Sequence, residues 1–83
     1  MHFLGEVTVR FKKSVLEPQG QAIMLSLKEK SYSEISLIRV GKIIEVHLEA
    51  NNQQEARNIL QKMADDLLYN PVMETCEFSV KQV

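Results

Sequence analysis

Residues 35–50, ISLIRVGKIIEVHLEA, decide how the rest of the chain is read. The stretch has the alternation of two strands joined by a two-residue turn at Gly41-Lys42. Glycine at the first central position suits a type II′ hairpin, because only glycine takes up that positive φ without cost. In that register Ile35, Leu37, Ile44, Val46 and Leu48 share a core face. Ser36, Ile38, Val40, Ile43, Glu45 and His47 share the other, which is apolar near the turn and polar further out. An antiparallel sheet normally leaves one face to solvent, so Ile38, Val40 and Ile43 together ask for a cover.

Working outward, residues 2–12 alternate as a half-buried strand, with Phe3, Gly5, Val7, Val9 and Phe11 on one side. Pro18 fits the first position of a helix running to about Lys30, with Glu17 as its N-cap and Ile23, Met24 and Leu27 inward. Gly20, inside the first turn, admits two readings: a slack helix start, or a place where another backbone comes close. Ala56, Ile59, Leu60, Met63, Ala64, Leu67 and Leu68 form one apolar stripe at helical spacing. Asn52 and Glu55 open that helix as a capping box, and Asn70-Pro71 closes it. The spacing predicts Ala56, Ile59, Leu60, Met63, Leu67 and Leu68 buried against Phe3, Val7, Val9, Val46, Phe78 and Val80. A last strand, about Met73 to Lys81, points Cys76, Phe78 and Val80 inward. The order βαββαβ predicts an α+β, ferredoxin-like fold: a four-stranded antiparallel sheet with both helices on one face.

Eighty-three residues make a single domain spanning 1–83. Ten Lys and Arg against eleven Asp and Glu leave no basic surplus, so nucleic acid is not an expected partner. No apolar run approaches the ~20 residues that span a bilayer, so no membrane association is expected. No leader pattern precedes the first strand, and the one cysteine, Cys76, has no internal partner. A cytoplasmic protein is the expectation.

The search for chemistry comes back thin. Cys76 falls on an inward register, where cysteine serves as a small hydrophobe. His47 faces outward between Glu45 and Glu49, and with His2 it has no zinc-type spacing. Asp65 and Asp66 diverge around a helix and do not form an acid pair. No phosphate-binding glycine motif is present. An RNA-binding sheet would display aromatics outward, whereas Phe3, Phe11 and Phe78 point inward. An acylphosphatase would need an anion-cradling loop after the first strand, and KKSVLEPQG is not one. No catalytic, cofactor-binding or metal-binding residue is assigned. What remains is an interaction surface. Ile38, Val40 and Ile43 are the expected self-association patch. Arg39, Gly41 and Lys42 at the hairpin tip, with Pro18 and Gly20, are the expected contact with other partners.

Three stretches carry a resemblance to a known family: VTVRFKKSVLEPQGQA (7–22), IRVGKIIEV (38–46) and EARNILQKMADDLLYNPVMETCEF (55–78). Together they resemble the PurS family, the small subunit of bacterial and archaeal phosphoribosylformylglycinamidine synthase, from about Phe3 to Val80. Members commonly carry Asp where this chain has Glu17. The resemblance implies a chain without catalytic residues in a glutamine-dependent, ATP-driven ligase. Such a chain binds as a dimer or tetramer and bridges a glutaminase (PurQ) and a synthetase (PurL). It assists ammonia transfer between them, with ATP and Mg held on the synthetase. Two other readings stand beside it. An ACT-like regulatory dimer suits the size but lacks the glycine-rich ligand turn after the first strand. The other is a homo-oligomer with no enzymatic partner.

Overall fold

The computed structural model describes all residues, 1–83. Its elements are β1 (His2–Phe11), α1 (Pro18–Glu29), β2 (Lys42–Glu49), α2 (Gln53–Met63) and β3 (Glu74–Gln82). They form a βαβαβ chain with one antiparallel sheet in the order β2-β1-β3. The α+β class agrees with the sequence reading, and the first strand takes the centre of the sheet. The fourth strand does not form.

The reason lies at Gly41. No glycine in the chain has a positive φ, so residues 41 and 42 make no type II′ turn. β2 begins directly at Lys42, opposite Val9. A Cβ on Gly41 would stand 2.6 Å from the Val9 carbonyl oxygen, so the glycine serves close backbone approach, not chain reversal. Residues 35–40 run past the end of β1 and join none of the backbone ladders.

The core lies between one sheet face and α2. Phe3, Val7, Val9, Leu48, Ala56, Leu60 and Val80 are buried together. Leu60 occupies the space that a side chain at Gly5 would need. Asn52 caps α2 by accepting from the Glu55 N–H at 2.8 Å, and Glu55 reaches back to Asn51. Beyond Met63 the helix widens into a π-helical turn, Ala64–Leu68. That widening breaks the α-helical phase. Ala64 and Leu68 stay against the core, but Leu67 is 86% exposed and Met63 37% exposed, where the stripe predicted both inside.

α1 is not on the sheet. With residues 35–40 it forms an arm that leaves the sheet beyond the end of β1, and the molecule measures 52 × 27 × 14 Å. The helix ends with Ser31 at φ 78°, where the Ser31 and Tyr32 N–H groups donate back to Lys28 and Leu27. This is a Schellman closure with serine where glycine is usual. It turns the chain back alongside the helix. Ile23, Leu25, Tyr32 and Leu37 remain exposed on the arm, and Ile35 and Ile38 are half-buried.

Candidate functional site

The residues singled out for partner contact meet at the root of the arm. Glu17, 5% exposed, is its hub. Its carboxylate accepts from the Gln19 and Gly20 N–H groups at 2.7 Å each and from the Val40 N–H at 2.8 Å. The first two bonds cap α1, and the third ties the returning segment to the same group. Burial opposes the charge, but these three donors and the nearby Arg39 outweigh it and hold the carboxyl below its ordinary range.

Arg39 makes a second clasp. Its Nη2 donates to the carbonyls of Lys12 and Val15 at 2.9 and 2.8 Å, fixing the loop between β1 and α1. Gly20 lets the two segments lie in contact, because a Cβ there would meet the Ile38 carbonyl oxygen and stand 2.9 Å from the Arg39 Cα. Of the two readings of Gly20, close backbone approach is the one seen. Pro18, Gly20, Arg39 and Gly41 therefore belong to one constructed junction. Lys42 follows as the exposed first residue of β2.

The apolar set fares differently. Ile38 and Val40 lie half-buried on the segment beside α1, while Ile43 lies on the outer face of β2, opposite Thr8. They do not share a sheet face, because residues 35–40 are not in the sheet. The unmatched feature is the segment itself. Among the backbone groups of residues 35–40 only the Val40 N–H is bonded within the chain, and there to the Glu17 side chain.

Sequence reasoning missed a polar chain at the far end of the sheet. His2 Nδ1 lies 2.8 Å from Glu49 Oε1, and His2 Nε2 lies 3.2 Å from His47 Nδ1. The centroids are 5.4 Å apart and the planes differ by 23°, so with that N···N contact the rings meet edge to edge. The hydrogen bond from His2 chiefly lowers the Glu49 carboxyl, with burial opposing and the terminal amine assisting. The antiparallel pairing of His2 with Glu49 brings these groups together, and spacing along the chain does not show it. No three His, Cys, Asp or Glu side chains converge as metal ligands would. Burial raises the Tyr69 phenol, with Cys76 and Asp65 adding to it. Cys76 is half-buried opposite Val9 on the core side of β3. No helix is long and apolar enough to cross a membrane.

This geometry supports binding and places no nucleophile beside a base. Residues 5–82 match the family described as PurS, phosphoribosylformylglycinamidine (FGAM) synthase. The PurS subunit of Thermotoga maritima FGAM synthase is 32% identical over 81 residues, covering 98% of this chain and 96% of that protein. The Bacillus subtilis subunit is 33% identical over 78 residues, covering 94% and 92%. Among solved structures, Methanocaldococcus jannaschii PurS, a subunit of an amidotransferase of the purine biosynthetic pathway, superposes with a TM-score of 0.86. It is 25% identical and covers 98% of each chain. A chain of the PurLQS structure from Thermotoga maritima superposes with a TM-score of 0.83, 31% identity, and coverage of 100% of this chain and 99% of that one. A match over nearly the full length, in sequence and in fold, settles the family: this chain belongs to PurS, the small subunit of FGAM synthase in purine biosynthesis.

Proposed function

We propose that this chain acts in a cytosolic PurLQS-type assembly as the subunit without catalytic residues, joining a PurQ glutaminase to a PurL synthetase and assisting ammonia transfer between them. ATP and Mg then belong to the synthetase. The observation that carries this reading is the arm. A chain of 83 residues would have a radius of gyration of about 12 Å if compact, and this one has 16.6 Å. Its arm exposes apolar side chains and a backbone segment without ladder partners, which is the surface of a component and not of a finished monomer. A second copy supplies the matching surface, so self-association through residues 35–40 precedes or accompanies docking of the larger chains. The clasped junction of Glu17 and Arg39 holds the arm at a fixed angle for that contact.

The test is reconstitution. The purified chain alone is expected to turn over neither glutamine nor ATP. Added to the glutaminase and synthetase, it restores glutamine-dependent product formation and has much less effect on the rate from free ammonia. Full glutamine-dependent rate from the two larger chains without it would refute the bridging role.

A further inference from the structure

The charges of this chain are not evenly spread, although their sum is −1. Arg10, Lys12 and Lys13 at the end of β1 and Arg39 from the arm root line a cleft of about 510 Å³. That volume lies within the range of small-molecule sites. Two carboxylates answer the four cations: Glu77 on β3, whose oxygen is 3.5 Å from Arg10 Nη1, lines the cleft, and Glu17 lies near Arg39 outside its lining. Four like charges in one concavity repel each other, and a bound anion relieves that repulsion. Arg39 is preorganised for the task. Its Nη2 is held by two backbone carbonyls, so three of its five N–H donors remain. The Thr75 hydroxyl adds a neutral donor, and Phe11 and Val40 give the cleft an apolar wall.

We propose that this cleft binds a phosphorylated small molecule. The phosphate sits among Arg10, Lys13 and Arg39, and the organic part lies against Phe11 and Val40. Planar guanidinium groups match phosphate oxygens in bidentate pairs. The proposal rests on the cleft alone and does not depend on the bridging role.

Titration of the full chain with adenosine monophosphate and with inorganic pyrophosphate, followed by amide and guanidinium NMR shifts, tests it. Saturable shifts confined to residues 10–13, 39–41 and 75–77 are expected, weakening with salt. Arg10→Gln with Lys13→Gln, both exposed and outside the Glu17–Arg39 clasp, should weaken binding by at least about tenfold. Glu77→Gln should tighten it, an effect that a purely structural role for Glu77 would not produce. Shifts reproduced by chloride at equal ionic strength, or unchanged in the Arg10/Lys13 variant, would overturn the site. Tight binding of polyglutamate that neither phosphate compound displaces would also overturn it, and would make the cleft a dock for an acidic protein segment.

Discussion

A carboxylate that receives three backbone N–H groups, as Glu17 does, ties the arm's stability to its own charge. Its pKa in the fold is lowered, so its contribution is complete above the ordinary carboxylate range and is lost as pH falls through the lowered value. The Val40 N–H reports this directly. Its protection from exchange, corrected for the intrinsic rate, should be constant near neutrality and fall in acid. Glu17→Gln should remove that acid transition while keeping an acceptor for Val40. Protection that stays flat in the wild type down to strongly acidic pH would show that the arm is held by something else. Parts of this junction were legible in the sequence. Pro18 marked the helix start and Glu17 its cap. Gly20 was ambiguous because a helix propensity describes the helix alone, and the atoms that need the space belong to Ile38 and Arg39. Arg39 read as a surface cation because its carbonyl partners lie 24 and 27 residues away.

At the scale of elements, α2 and residues 35–40 show what a hydrophobic pattern does and does not encode. The α2 stripe was read correctly up to Leu60, since its partner sheet is in the same chain. Leu60, fully buried over β1, is its centre. Leu60→Ala is expected to cost about 2–5 kcal/mol, measured by denaturant unfolding. Leu67→Ala, beyond the change of phase at the π-helical turn, is expected within about 0.5 kcal/mol of the wild type. Equal losses at the two positions would mean that the turn is regular α-helix in solution. Residues 35–40 alternate as a strand should, yet they pair with no strand of their own chain. An alternation of this kind does not say whether a partner strand exists within the same chain. The four-stranded sheet was drawn from one chain's sequence on the assumption that a strand pairs with its neighbour.

For the whole molecule, the arm sets the balance between monomer and assembly. Ile23, Leu25, Tyr32 and Leu37 are each at least 39% exposed, and all lie on the segment that leaves the sheet. Scattered apolar residues need no explanation, but four gathered on one projection beside a segment without backbone partners do. If a second copy covers it, folding and association are coupled, and the melting temperature should rise with protein concentration. Leu37→Glu places a carboxylate on the segment without backbone partners, where cover by a partner strips its water. That penalty is on the order of several kcal/mol, enough to weaken association more than about a hundredfold. Sedimentation should therefore show the variant as a smaller species at concentrations where the wild type is assembled, with its melting temperature independent of dilution. Ile43→Glu separates the arm from the outer sheet face, because Ile43 is 63% exposed on β2 and not on the arm. An assembly that survives Leu37→Glu but dissociates with Ile43→Glu would place the contact on that sheet face. It would leave the arm free to meet the larger subunits.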